Sequence, residues 1–396
     1  MMAELKALKE IPGKAKKIET EITEIRRKLH ANPEVMFQEK DTCALIRSYL
    51  SKLDVEILDP YTGTDTVCLI RGSKPGKTVL LRADIDALSI TETGMRSWIS
   101  ERPGSAHSCG HDGHTAMLLG AVSILSKMKD SLHGNVKAVF QPAEEDGGGG
   151  KILVEKGVLD HEPAVDEVYA LHGWPGLAEG FFESVPGEMM AAVDNFTIKV
   201  KGKGAHAAMP HLSADPVIAS AQIIISLQSV ISRNLDPVDS GVISICSVNG
   251  GELNNVIPDT VLMKGTARYF RKETGRLIKK RIREITEGVC NACGTNHTLD
   301  YRHGYIPLVN NPEKVAYAGR IAQSLFGEDS WSDRAPLTGG GEDFSFYLHK
   351  KPGAFIRLGL GKSSPPLHSS SFDFNDKVLA RGTAMLCALA SGALYQ

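Results

Sequence analysis

Residues 106–125 read Ala106-His107-Ser108-Cys109-Gly110-His111-Asp112-Gly113-His114-Thr115-Ala116-Met117-Leu118-Leu119-Gly120-Ala121-Val122-Ser123-Ile124-Leu125. A thiol, three imidazoles and a carboxylate are followed by an apolar run of helical length. The run 116–125 is apolar all round apart from one serine, which predicts a helix buried in a core. Working outward, 67–70 and 78–81 upstream and 136–140 downstream are short apolar or β-branched runs bounded by turn residues, as buried strands are. Strands that alternate with helices argue for the α/β class. The same style continues at 168–171 and resumes at the end of the chain, with a strand at 355–358 and a helix at 376–394. Helical spacing over 15–30 and 41–53 fills the start, where charged residues alternating with Leu and Ile predict a surface helix.

Between 191 and 304 the rhythm changes. Residues 196–200 alternate as a strand, 215–232 are helical, 241–248 and 260–270 are strands, 275–292 are helical and 298–302 form a short strand. The order βαββαβ is the split-βαβ, ferredoxin-like arrangement, a self-contained α+β unit of about a hundred residues. The expected organisation is therefore a discontinuous α/β domain, residues 1–190 and 305–396, interrupted by an inserted domain, residues 191–304. At 396 residues the chain has room for about two to three domains.

The formal net charge is −2, which supplies no electrostatic attraction for nucleic acid or an anionic membrane. Seven cysteines scattered along the chain do not form a secreted disulfide framework, so a reducing compartment, the cytoplasm, is expected. The start of the chain has no apolar export segment, and the longest apolar stretch, 216–231, is interrupted by Ser220, Gln222, Ser226 and Gln228, which predicts a soluble protein.

Four loops carry residues with chemistry. Cys109 and His111 offer a thiolate and an imidazole, donors suited to zinc and its neighbours, separated by a glycine that tolerates unusual dihedrals; a polar loop capping the helix is the alternative. Glu144, Glu145 and Asp146 follow a predicted strand, where α/β folds build their sites, and adjacent carboxylates can divide ligation from general-base work; a solvated acidic turn is the alternative. His172 and His368 each come after a predicted strand. Together Cys109, His111, Glu145, His172 and His368 make five ligands, enough for two ions only if one donor bridges. The pair Cys290 and Cys293 lacks the second pair of a zinc knuckle, and Gly147–150 lacks the glycine fingerprint of a dinucleotide site and reads as a flexible loop.

Taken in order, Arg26-Arg27-Lys28-Leu29-His30 with Asn32-Pro33-Glu34, Leu81-Arg82-Ala83-Asp84-Ile85-Asp86-Ala87-Leu88, the 109–114 cluster, Gln141-Pro142-Ala143-Glu144-Glu145, His172-Gly173-Trp174-Pro175, Gly202-Lys203-Gly204-Ala205-His206-Ala207-Ala208-Met209-Pro210, Asn255-Val256-Ile257-Pro258 and Gly340-Gly341-Glu342-Asp343-Phe344 form a pattern. It resembles the co-catalytic metallopeptidase and amidohydrolase family, in its aminoacylase and hippurate hydrolase branch, which includes plant hydrolases of indoleacetyl-amino acids. The resemblance spans almost the whole chain. It implies a zinc-peptidase-like catalytic domain with a central mixed sheet, an inserted lid or dimerisation domain, and a homodimer or tetramer of dimers. It also implies two divalent ions per subunit, zinc, manganese or cobalt, held by Cys109, His111, Glu145, His172 and His368, with Glu144 as general base. His206 matches a histidine that reaches the partner subunit's active site to stabilise an oxyanion, and Asn255 and Arg268 match positions that hold the substrate. Much of the wider family has a metal-ligating His where this chain has Asp84, two residues before Asp86; both are expected to support ligands rather than ligate. The implied reaction is hydrolysis of an N-acyl amino acid or short peptide. A dipeptidase or carboxypeptidase with the same centre is the alternative, and a non-catalytic metal-binding dimeric scaffold a more distant one.

Overall fold

Apolar runs too short for helices and hemmed by turns pair side by side, and in this chain they build one large mixed sheet. The computed structural model describes residues 2–395. By internal contacts the chain divides into two units, residues 1–187 with 309–336 and 343–396, and residues 188–308 with 337–342.

The first unit is built on eight strands in the order Glu56–Ile57, Thr66–Arg71, His133–Gln141, Lys74–Asp84, Glu167–Pro175, Gly353–Gly361, Phe182–Glu183 and Trp331–Ser332. The four central strands run parallel, while Thr66–Arg71 and Phe182–Glu183 pair antiparallel to their inner neighbours. Parallel strands need helical crossovers and are covered on their faces. Accordingly His111–Met128 and Leu379–Leu394 are buried along nearly their whole lengths. Leu81, Phe140, Leu171 and Ile356 face these helices in one continuous core. The α/β reading with a central mixed sheet is borne out.

Three expectations need correction. The predicted surface helix is two helices, Met2–Lys17 and Glu19–Ala31; Ile11, Ala15 and Ile22 are fully buried, so charges on one face mask an apolar stripe on the other. His172 does not follow its strand but lies inside it, because Glu167–Pro175 stays paired with Gly353–Gly361 as far as Pro175. Gly149 and Gly150 are not a loop; they open the helix Gly149–Glu155 behind left-handed Gly148.

The second unit is a four-stranded antiparallel sheet in the order Gly241–Asn249, Thr260–Tyr269, Ala192–Lys201 and Asn296–His303. Two helices, Pro216–Ser229 and Lys272–Ala292, pack on it through Ile223, Leu227, Ile278 and Ile282. Asp215 caps the first by accepting from the amides of Val217 and Ile218. With a π-helical continuation this helix reaches Asn234, and it and Asp376–Leu394 are long and apolar enough to cross a membrane by length and composition. The first was expected to be too short. The second is 83% buried inside the protein, as a core helix is.

Candidate metal centre

At the carboxyl ends of the parallel strands the chain turns from apolar to ionisable residues. Lys74–Asp84 ends on Asp84, whose neighbour across the ladder is Gln141, the last residue of its own strand. Asp86 lies two residues further on, and Glu144 and Glu145 follow Gln141 in a turn. That turn contains Ala143 at a left-handed φ of 55°, held by its amide donating to the buried carboxylate of Glu39 (3.0 Å). Cys109 and His111 flank Gly110, whose φ of 87° begins the helix His111–Met128. The Phe374 ring stands so close that a Cβ on Gly113 would meet it at 2.4 Å, and one on Gly110 at 3.0 Å. Only glycine allows this loop to lie against that ring.

The ligand atoms of Cys109, Glu145 and His368 lie within 4.8 Å of one another, and so do those of His111, Glu144 and Glu145. His172 joins them, its Nε2 standing 3.5 Å from Cys109 Sγ. All six residues proposed from sequence for ligation and base catalysis are thus brought together within the first unit. His206 and Asn255 belong to the second, on a two-stranded ribbon where Val256 pairs with His206 and the Ala207 amide donates to the Asn255 carbonyl. Arg268 lies half-buried on Thr260–Tyr269, donating to Thr266 Oγ1 and to the Ala267 carbonyl.

Hydrogen bonds fix which ring nitrogens face inward. His111 Nδ1 lies 2.9 Å from the Asp86 carbonyl, and His172 Nδ1 lies 2.8 Å from the Gly173 carbonyl. A carbonyl can only accept, so Nδ1 carries the proton in each ring and Nε2 of the neutral imidazole is left as a lone pair. His111 Nε2 is buried and makes no hydrogen bond, with Glu145 Oε1 and Asp84 Oδ2 at 3.8 and 3.7 Å. Asp86 also accepts from the Glu145 amide (3.0 Å) and reaches His111 Nδ1 with Oδ1 (3.2 Å), so one carboxylate orients two neighbours.

His114 is built from the same cluster to the opposite effect. Its Nδ1 lies 2.6 Å from Asp84 Oδ1 and its Nε2 accepts from the Gly173 amide at 2.8 Å. Both nitrogens are used, so His114 fits a support better than a ligand even though it stands among Asp84, His111 and His172. Asp84 also binds Arg82 Nη1 (2.6 Å), and Arg82 donates to Gln141 (2.9 Å) and Asp343 (2.7 Å), all buried. This hub escaped the sequence reading. Its one signal is an arginine inside the otherwise apolar run 79–83.

The electrostatics suit a cation. Burial opposes a charge on His111, but Asp84, Asp86 and Glu145 outweigh it and raise the imidazole to about 10; surroundings that favour a proton there favour any positive ion. Burial opposes a charge on Asp84 too, yet His111, His114 and Arg82 hold its carboxyl well below the ordinary range. Burial, then the Glu145 and Glu144 carboxylates, push the Cys109 thiol well up, and a coordinating ion would reverse that. Burial, then His114, push His172 well down and keep its ring neutral. Thiolate, imidazole and carboxylate with an unpartnered buried Nε2 fit a divalent metal.

His368 is set differently. It lies on an irregular loop with a left-handed φ of 61°, tied by its amide to the Ser108 carbonyl (2.8 Å). Its side chain is 53% exposed, with Nε2 3.2 Å from Glu145 Oε1. The hydrogen bond to Glu145 raises its pKa.

Three known proteins bear on this geometry. Thermostable carboxypeptidase 2 of Saccharolobus solfataricus is 38% identical, over 97% of this chain and 98% of its own. N-acetyl-L-cysteine deacetylase of Bacillus subtilis is 37% identical, over 93% of this chain and 87% of its own. The crystal structure of a Bacillus subtilis protein described as a dinuclear metal-binding peptidase of the M20 family superimposes with a TM-score of 0.85 at 32% identity, covering 96% of this chain and 99% of that one. The pattern of peptidase family M20/M25/M40 matches residues 80–392, the span that holds every residue of the candidate metal centre, and the chain belongs to that family.

Proposed function

We propose that the protein is a metal-dependent amidohydrolase that cleaves the amide bond of N-acyl amino acids, of the hippurate or N-acetyl-amino acid type, to a carboxylic acid and a free amino acid. The observation that carries this reading is Glu144, a carboxylate beside the donor atoms of His111 and Glu145, in a chain similar to a deacetylase along most of its length.

In this reading Cys109, His111, Glu145, His172 and His368 hold two divalent ions, zinc, manganese or cobalt, while Asp84 and Asp86 hold the imidazoles. A divalent ion there lowers the pKa of water from about 15.7 toward about 7 and polarises the amide carbonyl. Glu144 takes the proton of the attacking water as the C–O bond forms, then delivers it to the amide nitrogen as the C–N bond breaks. We assign His206 the hydrogen bond to the developing oxyanion, Asn255 the substrate backbone, and Arg268 the substrate carboxylate, a pairing that makes a free carboxyl group a requirement. The second unit is read as a ferredoxin-like lid and dimerisation domain. Its edge strand Gly241–Asn249 exposes Val242 and Val248, and the adjacent helix exposes Val217, Ile218 and Ile225, features that suit pairing with a second copy. Seven cysteines without a disulfide support a cytoplasmic setting.

The test is amine release from benzoylglycine, acetylmethionine and a dipeptide, using chelator-stripped protein resupplied with zinc, manganese or cobalt. Metal-dependent release from the two acylated amino acids is expected. Similarity to a carboxypeptidase favours one second reading, and release from the dipeptide alone would establish it. Glu144→Ala should keep its metal and lose about 10²–10⁴-fold in turnover; wild-type rates in that variant would remove the base assignment.

A further inference from the structure

The loop that carries His368 has little of its own to hold it. Between Leu367 and Phe374 it forms neither helix nor strand, and its buried end is pinned by the rings of Phe372 and Phe374, 1% and 2% exposed. The half nearer His368 is gripped from outside by a second irregular segment. Thr93 donates its amide to the Ser370 carbonyl (2.8 Å). Arg96 donates Nη2 to the Ser371 carbonyl (2.8 Å) and Nη1 to the Phe372 carbonyl (2.9 Å). Two consecutive carbonyls are thereby held by one planar guanidinium, a geometry a lysine cannot copy.

Arg96 is itself aimed. Its Nη1 also donates to Glu92 Oε1 (2.9 Å), and its Nε faces Asp373 Oδ2 at 3.6 Å. Glu92 is buried and fixed in turn by His30 Nε2 (3.0 Å) and the Ser100 amide (2.7 Å). Asp373 is held by Arg26 Nη1 (2.8 Å), a fully buried guanidinium that also reaches Asp112, the residue after His111. One ion network therefore ties the His368 loop to the helix start that carries His111.

We propose that Arg96 is a positioning residue for His368: by fixing the backbone carbonyls of residues 371 and 372 it holds the imidazole against Glu145 and Cys109, and so sets how tightly an ion is held at that triad. The proposal rests on the metal centre described under the proposed function. The His368 amide is tied to the Ser108 carbonyl, but the ring is half-exposed on a left-handed residue, so its placement also follows the backbone that comes after it. The rings of His111 and His172, set in a helix and a strand, are held directly by the Asp86 and Gly173 carbonyls rather than by Arg96.

The experiment is a calorimetric titration of chelator-stripped protein with zinc, repeated with cobalt while the cobalt–thiolate absorption of Cys109 is followed. In Arg96→Ala one of two ions should bind about 10–100-fold more weakly, the cost typical of removing a partner that orients a ligand, while the other is unchanged and the thiolate band is altered. Arg96→Lys should recover part of the loss. The double variant Arg96→Ala/His368→Ala should bind no more weakly than His368→Ala alone. Unchanged affinities for both ions, or equal weakening of both, would overturn the proposal, as would a lowered melting temperature with the cobalt spectrum intact. If Arg96→Ala does not fold, Arg96→Lys decides by the same readings. If His368→Ala itself leaves both ions bound as before, the reading of the metal centre fails, a result distinct from failure of Arg96 alone.

Discussion

Two kinds of backbone supply the imidazoles of the candidate metal centre. His111 opens a helix buried along nearly its whole length, and His172 sits in a strand paired in parallel with its neighbour, Arg357 opposite it in register; the inward nitrogen of each is selected by a carbonyl on the other side of the ring. His368 stands on a loop, half-exposed, its ring placed beside Glu145 and Cys109. Core packing sets the first pair, so their geometry persists as long as the fold does. The third is set by a few backbone hydrogen bonds and the Arg96 guanidinium that grip its loop, so it can be loosened without unfolding the core. A centre made this way has one fixed wall and one adjustable one.

That contrast can be broken directly. The largest effect is expected for His172→Ala, which opens the fixed wall: metal content measured after dialysis should fall, and turnover should fall at least as far as the roughly 10²–10⁴-fold expected for loss of the base. Retention of both ions would show that the strand histidine is not a ligand. Asp86→Ala should act more mildly, because it removes an orienting contact to His111 and one to the Glu145 amide rather than a ligand; a drop of about 10–100-fold in metal affinity is expected, read by competition with a chelating dye. An unchanged affinity would mean that the Asp86 backbone carbonyl alone is enough to hold His111.

The smallest effect concerns the charge network behind the adjustable wall. Burial opposes a charge on His30, but Asp112 and then Glu92 outweigh it and raise its pKa to about 9. Because the folded value exceeds the ordinary one of about 6.5, the stabilisation is complete below about pH 6.5 and is lost as pH rises through about 9. Urea unfolding at intervals across that window should show falling stability, and the slope should flatten in His30→Gln. Equal slopes in the two proteins would rule out His30 as its source.

Much of the first unit is legible in the sequence, since apolar runs such as 78–81 and 136–140 are what buried parallel strands require. Their ends could not. Lys74–Asp84 and Glu167–Pro175 run on through polar residues because neighbouring strands and buried partners satisfy them, and partners distant in sequence leave no local trace. Cys109, His111, Glu144, Glu145, His172 and His368 stood out as rare donors next to turns, and the structure gathers them. The supports did not stand out. Arg26 reads as one of three surface cations, yet it is fully buried because Asp112, Asp373 and Asp376 surround it from far along the chain. Arg82, His114 and Asp343 are likewise intelligible only through each other.

The close approach of Phe374 to Gly113 has a consequence for how the sequence can change. A side chain at position 113 demands a smaller one at position 374, and a smaller residue there leaves a void against the loop of Cys109. Neither position can drift alone. Across divergent descendants of this chain the two should vary as a linked pair, so a lineage that has lost the ring is also the place to find a helix start freed of its glycine.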